Sequence, residues 1–220
     1  MTRAELEAGL RGGLAALGLA LDDEAVRRLL DYQDLIQKWT QVYNLTAVRD
    51  PAEMLTHHLL DSLAVVAPLR RQLAAEGWPE AGARLLDVGS GAGLPGVVIA
   101  ICCPALRVDC VDTVAKKAAF IQQAAASLRL PNLRGLHARV ENLTERYDVV
   151  SSRAFASLLD FTTWSAGALA EQGVWLAMKG KHPDAEIAAL SPSTEVFHVE
   201  QLQVPGLDAE RCILWLRRTG

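Results

Sequence analysis

The chain lacks the features that mark membrane proteins, exported proteins and strongly basic proteins. No apolar run is much longer than about ten residues, whereas a helix that crosses a bilayer needs about 20. Glu5 and Glu7 stand where an export signal would begin its apolar core, so we expect a cytoplasmic protein. The formal net charge is −4, which does not indicate nucleic-acid binding but leaves room for a local basic patch.

Metal-binding and redox motifs are also missing. The four cysteines show no C-x-x-C spacing, which favours buried, reduced thiols. No metal-ligand spacing links His57 and His58 to the other histidines, and we predict no metal. A histidine on a helix near an apolar face is usually packed and hydrogen-bonded, which is the simplest interpretation of both.

A glycine-rich stretch stands out, with the sequence D-V-G-S-G-A-G-L-P-G over residues 87–96. The apolar residues before it predict a buried strand, and Pro95 with the apolar run after it predicts the start of a helix. Gly89, Gly91 and Gly93 tolerate positive φ and let a ligand approach the backbone. The helix N-terminus adds free N–H groups and a positive potential.

Two cofactors fit this stretch. Residues 91–96 satisfy the dinucleotide pattern G-x-G-x-x-G, and Asp112 follows about 20 residues on. Asp87 and the additional Gly89 extend the pattern to D-x-G-x-G-x-G, which resembles the S-adenosylmethionine site of class I methyltransferases. We favour S-adenosylmethionine over NAD, and over an ordinary strand–helix turn with no ligand.

The pattern of elements predicts two regions. Helical periodicity covers residues 3–17 and 52–75. Between them a second helix is predicted, capped by Asp22 or Asp23, with an apolar stripe that ends at Trp39 and Val42. A Gly/Pro break at 76–82 separates a helical extension, residues 1–78, from a catalytic domain, residues 79–220. Strands are then predicted at 84–88, 107–112, 133–138, 147–151 and 173–179, with helices between them. This alternation indicates an α/β fold with a mostly parallel sheet. Segments 194–204 and 211–217 are joined too tightly for a parallel crossover and predict a terminal antiparallel hairpin.

Charged side chains follow the strands at the edge where α/β sheets bind ligands. Asp112 could accept both ribose hydroxyls of an adenosyl group, or cap the helix after it. Glu141 could bracket an adenine or be a surface acid. Arg153 and Lys179 end two adjacent strands and converge on one edge.

Several segments together resemble the GidB family of ribosomal RNA small-subunit methyltransferases G. Beside the glycine stretch they are V-D-T-V-A-K-K at 111–117, R-V-E at 139–141, S-R-A-F-A-S-L at 152–158, M-K-G at 178–180, N-L-T-A at 44–47 and H-x-x-D-S-L at 58–63. The match runs from about residue 35 to 190. Departures are small: Val140 stands where alanine is common, and Thr113 where serine is frequent.

The resemblance implies a class I, Rossmann-like fold and methyl transfer from S-adenosylmethionine to N7 of a guanosine in the decoding-region loop of 16S ribosomal RNA. Cofactor contacts are then expected at Gly89, Leu94, Val140, Glu141 and Arg153, with Asp87, Gly91, Gly93 and Asp112 in the same pocket. Arg153 and Lys179 would position the substrate, and no general base is expected because N7 carries a lone pair. RNA contacts are expected at Arg49, Lys116, Lys117, Lys179 and Lys181, in a protein we expect to be a monomer bound to 16S ribosomal RNA or the small subunit.

Three other functions remain open on the residues alone. They are an NAD(P)-linked oxidoreductase, a non-enzymatic ribosome-assembly factor with a vestigial cofactor pocket, and a methyltransferase for a protein or small molecule. Asp87 and the terminal hairpin argue against the first, the intact glycine run with both acids against the second, and the basic residues against the third.

Overall fold

The structure is a computed structural model that describes residues 1–219. Its N-terminal part is helical, and polar side chains cap its first two helices; the predicted cap at Asp22 is confirmed. Thr2 forms a capping box with Glu5, and Asp22 accepts the backbone N–H of Ala25 at 2.7 Å. The helices are α1 (Arg3–Ala16), α2 (Asp23–Tyr43), α3 (Pro51–Met54), a π-helical turn (Leu55–Leu60), α4 (Asp61–Leu63) and α5 (Val66–Ala75).

Within the described residues, seven strands form a single sheet in the order β3-β2-β1-β4-β5-β7-β6. The strands are β1 (Arg84–Val88), β2 (Arg107–Asp112), β3 (Leu133–His137), β4 (Tyr147–Arg153), β5 (Leu169–Lys179), β6 (Thr194–Leu202) and β7 (Arg211–Arg218). The first five are parallel, and β7 pairs antiparallel with both β5 and β6. The predicted α/β class and terminal hairpin are confirmed.

Helices on both faces cover the parallel strands. They are α6 (Gly96–Cys102), α7 (Ala115–Ser127), α8 (Leu158–Ser165) and α9 (Asp184–Ala188). The N-terminal helices share one apolar core with one face of the sheet, since Leu10, Ile36 and Leu59 belong to the same buried cluster as Val97 and Leu176. The predicted division of the chain into 1–78 and 79–220 stays a prediction, and its last residue, Gly220, lies outside the described residues.

Two local predictions were wrong. Val42, expected on the buried stripe of α2, is 69% exposed. Residues 41–44 are all exposed, so the last turn of α2 extends beyond the elements on which the helix packs. Strand β5 begins at Leu169, four residues before the expected start of the strand at residue 173.

All four cysteines are buried, as expected, and none forms a disulfide within the described residues. Among residues 1–219, no helix has both the length and the apolar character that a membrane crossing requires.

Candidate active site

The glycine-rich loop between β1 and α6 is held from beneath by two side chains. Asp87 is fully buried and accepts the backbone N–H of Gly96 and the hydroxyl of Ser151, both at 3.0 Å. From α2, the hydroxyl of Tyr32 donates to the carbonyl oxygen of Ala92. Asp87 therefore fixes the end of the loop and lines neither of the two cavities that open above it.

The loop glycines divide into packing positions and one open position. All three have positive φ: 65° at Gly89, 58° at Gly91 and 84° at Gly93. A Cβ at Gly89 would lie 2.3 Å from the ring of Phe155, and one at Gly93 would lie 2.4 Å from Val97. At Gly91 the nearest neighbour of a Cβ would be the Gly89 carbonyl oxygen at 4.0 Å, so this is where a ligand can approach the backbone.

The environment of Asp87 changes its acidity. Burial raises the pKa of this carboxyl to about 7, and the charge of Asp112 acts in the same direction. The hydrogen bonds from Gly96 and Ser151 and the positive charge of Arg153 oppose that rise. The balance leaves a buried acid that changes its charge near neutral pH.

One cavity, the β2 cavity, opens at the ends of β1 and β2 and has a volume of about 600 Å³. Asp112 lies in its wall and accepts the backbone N–H groups of Gly91 at 3.0 Å and Val114 at 2.9 Å. Val140 and Glu141 line the same cavity. Its size falls in the range of about 300–1,000 Å³ typical of ligand pockets.

The other cavity, the β4 cavity, has a volume of about 470 Å³ and lies between the N-terminal helices and the ends of β4 and β5. Asp61, 3% exposed, accepts from Arg153 and from Arg211 at 2.8 Å each. Arg153 also donates to the carbonyl oxygen of His57 at 3.0 Å. One buried carboxylate thus fixes two guanidinium groups in the wall of this cavity.

His58 lies on the π-helical turn and also lines the β4 cavity. Its Nε2 is 2.9 Å from the hydroxyl of Thr46, while its buried Nδ1 has no partner within the described residues. Burial lowers the pKa of this imidazole, with the positive charge of Arg153 acting in the same direction. The contact ties the loop after α2 to the cavity wall.

The predicted basic residues differ in whether an acidic side chain lies close to their charge. Lys179 lines the β4 cavity but pairs with Glu186 at 2.8 Å, and Lys117 lies 3.6 Å from Asp112. Arg49 donates to the side chain of Asn44 at 2.7 Å. Lys116 and Lys181 are exposed to solvent.

Most of the predicted site residues therefore come together around two adjoining cavities that share Gly89 and Ala154. Gly91, Leu94, Arg153 and Lys179 line the β4 cavity, and Asp112, Lys117, Val140 and Glu141 line the β2 cavity. Asp87 and Gly93 lie outside both linings. The assignment of these residues to a ligand stays a prediction.

Four residues that sequence reasoning missed shape the site: Tyr32, Asp61, Trp164 and Arg211. Asp61 was noticed only as part of H-x-x-D-S-L, and nothing near Arg211 marked it out. Trp164, 39% exposed, lines the β2 cavity and packs edge-on against Phe155 at 5.9 Å between ring centroids. Among residues 1–219, no group of three or more His, Cys, Asp or Glu side chains is placed to hold a metal ion.

Comparisons with known proteins agree with this arrangement. Residues 25–214 match the family model GidB, described as "rRNA small subunit methyltransferase G". The chain is 72% identical over 211 residues to the "Ribosomal RNA small subunit methyltransferase G" of Polaromonas sp. strain JS666, covering 96% of this chain and 93% of that protein. It is 70% identical to the protein of that name from Polaromonas naphthalenivorans, covering 98% of this chain and 97% of that protein.

Solved structures show the same fold at low identity. Magnesium protoporphyrin IX methyltransferase (ChlM) from Synechocystis PCC 6803, solved with bound SAM, has a TM-score of 0.58 at 16% identity, covering 91% of this chain and 99% of that one. TrmN from Thermus thermophilus has a TM-score of 0.56 at 19% identity, covering 75% of this chain and 53% of that one.

Proposed function

This chain belongs to the GidB family, rRNA small subunit methyltransferase G, and from that membership we propose that it methylates N7 of a guanosine in the decoding-region loop of 16S ribosomal RNA. The observation that carries the proposal is the pair of cavities that meet at Gly89. One cavity suits an adenosyl group and the other a substrate base, and their shared wall is where the two would meet. The partner is 16S ribosomal RNA or the small subunit, which implies a cytoplasmic site of action.

S-adenosylmethionine, when bound, supplies an electrophilic methyl group on a sulfonium. In the β2 cavity, Asp112 is placed to accept ribose hydroxyls, and Val140 and Glu141 to border the adenine. Gly91 lines the adjoining β4 cavity and leaves its surroundings open, so its backbone admits the part of the ligand that extends from the β2 cavity into the β4 cavity. Trp164 adds an aromatic wall to the same cavity.

In the β4 cavity the residues bind and orient the substrate. Asp61 fixes Arg153 and Arg211 in one orientation each, so their remaining N–H groups are preorganised donors. Guanine offers O6 and N7 as acceptors, but a donor on N7 would block the lone pair that must receive the methyl group. The arginines therefore contact O6, phosphate or cofactor carboxylate, and the enzyme accelerates transfer by alignment and exclusion of water.

The cofactor assignment predicts the behaviour of Asp112→Asn. The substitution removes a charge-assisted acceptor, worth about 1.5–3 kcal/mol, which corresponds to roughly ten- to hundredfold weaker binding. Calorimetry with S-adenosylhomocysteine measures it, and Asp184→Asn, whose side chain is 89% exposed, serves as the control. Equal affinity of folded Asp112→Asn and wild type would contradict the assignment.

The absence of a general base predicts that His58→Gln keeps most of the turnover rate. Neutral guanine has no proton on N7 to remove, whereas losing a true base costs about 10²–10⁴-fold. Glutamine retains a polar group near Thr46, so we expect a fall of less than about tenfold in single-turnover methylation. A loss beyond about a hundredfold, with cofactor affinity unchanged, would identify a working base and a different target atom.

The experiment that tests the proposed reaction uses S-adenosylmethionine with a labelled methyl group and small subunits that lack the modification. Label in 16S ribosomal RNA, mapped to one 7-methylguanosine, is the expected result. Label on an exocyclic amine would overturn the N7 assignment, and label on a ribosomal protein would overturn the RNA substrate.

A further inference from the structure

An exposed aromatic ring lies at the end of α2, with the ammonium group of Lys116 over it. We call Val42, Tyr43, Arg49 and Lys116 the Tyr43 surface. Tyr43 is 46% exposed, and Val42 beside it is 69% exposed. The ammonium of Lys116 lies 5.2 Å from the centroid of the Tyr43 ring, a cation–π contact between α7 and α2. Neither the cofactor nor the substrate role proposed above uses this ring.

The Tyr43 ring is supported by a continuous series of aromatic side chains. Its centroid is 5.1 Å from that of Trp39, which lies 5.3 Å from Phe120, and Phe120 lies 6.3 Å from Tyr32. Tyr32 in turn bonds to the glycine loop at Ala92. A ring supported in this way loses little conformational freedom when it binds, which favours recognition.

The Tyr43 surface lies between segments that line the two cavities. The residues that follow it in the chain, Leu45 and Thr46, line the β4 cavity. Val114, which immediately precedes α7, and Lys117, next to Lys116 on α7, line the β2 cavity. A substrate strand that delivers one base into the β4 cavity would therefore pass close to Tyr43.

Charge indicates the chemistry of the occupant. Within residues 1–219, Lys116 has no carboxylate oxygen within 4.0 Å, and the hydrogen bond recorded for the Arg49 side chain goes to the neutral amide of Asn44. Both cations are thus available to phosphates, in contrast to Lys179 with its partner Glu186. An exposed aromatic ring next to unpaired cations is typical of single-stranded nucleic-acid binding.

We propose that Tyr43 stacks on an unpaired base of the RNA near the target guanosine. The base takes the position over the ring that Lys116 holds in the free protein, and the long Lys116 side chain turns to a phosphate. This proposal rests on the RNA substrate proposed above. It adds a specific contact that helps to fix which nucleotide enters the β4 cavity.

The test compares Tyr43→Leu, which keeps an apolar cover over Trp39 but removes the π face, with Tyr43→Phe, which keeps the ring. Methylation of unmodified small subunits is followed by initial rates, and binding of a labelled single-stranded RNA with the loop sequence by fluorescence anisotropy. We expect Tyr43→Leu to raise the KM for subunits and the Kd for the RNA about tenfold, in the range of base–aromatic stacking. Tyr43→Phe should match wild type, and S-adenosylhomocysteine affinity should be unchanged in both.

The outcomes separate this contact from the proposed function. Wild-type methylation together with equal KM and Kd in Tyr43→Leu would overturn the stacking and leave the reaction standing. A raised KM for subunits without any change in RNA affinity would place a ribosomal protein on the Tyr43 surface and also overturn it. Wild-type protein that transfers no methyl group to ribosomal RNA would overturn the proposed function, and the RNA occupant with it.

Discussion

Asp61→Ala is expected to abolish methyl transfer and to lower the free energy of unfolding by about 3 kcal/mol. The substitution leaves Arg153 and Arg211 facing each other without the carboxylate that both of them bond at 2.8 Å. Removing one partner of a buried ion pair costs about 3–5 kcal/mol. The lower end applies because the two guanidinium side chains remain 20% and 24% exposed to solvent. Activity falls further, since neither arginine keeps a fixed orientation in the β4 cavity.

Two companion variants identify the cause. Asp61→Asn keeps the shape and one acceptor but removes the charge, so it should fall between wild type and Asp61→Ala in urea unfolding. Combining Asp61→Ala with Arg211→Met removes one of the stranded charges, and the losses should be less than additive. Additive losses, or full activity in Asp61→Ala, would show that the carboxylate does not position the arginines.

The second large effect is in the pH dependence of stability. Burial raises the pKa of Asp87 to about 7 from its ordinary 3.8. Because the folded-state pKa lies above the unfolded one, the folded protein binds the proton more tightly between these values. The contribution of Asp87 to the free energy of unfolding is therefore largest below about pH 4. It falls as the pH rises to about 7 and then levels off. The difference between the pKa values of 3.8 and about 7 corresponds to about 4 kcal/mol of stability, at about 1.36 kcal/mol per pKa unit.

Asp87→Asn should remove this pH dependence. The amide oxygen can accept the N–H of Gly96, and the amide nitrogen can donate to Ser151, whose hydroxyl lies 3.4 Å from the carbonyl oxygen of Leu86. Urea unfolding at pH 4.5 and 7.5 measures the difference between wild type and variant, so other titrating groups cancel. We expect the free energy of unfolding of the variant to increase relative to that of wild type as the pH rises. A difference that does not change with pH would contradict the raised pKa.

The chain order of the elements, and the edge of the sheet at which the cavities open, could be predicted from the sequence. Strands predicted at 84–88 and 107–112 are those observed, because short apolar runs bounded by glycine or charge are local signals. The glycine stretch predicted, for the same reason, the edge of the sheet at which the two cavities open. With Asp87 and Gly89 it favoured S-adenosylmethionine over NAD. The combination of N-L-T-A, H-x-x-D-S-L and S-R-A-F-A-S-L supported that choice, and membership of the GidB family confirms it.

The sequence by itself determined which residues carry charge at the strand ends, but only the tertiary structure decided which of those charges are free. Lys179 looked like a free cation, and its pairing with Glu186 depends on where α9 packs. Asp61 and Arg211 are 150 positions apart in the chain, and the fold brings them to one cavity. Val42 follows the helical period of a buried stripe, yet the elements beneath α2 end before its last turn. The physical reason is common to all three: periodicity and motif spacing report the backbone over a few residues, whereas ion pairing and burial depend on chain segments far apart in sequence.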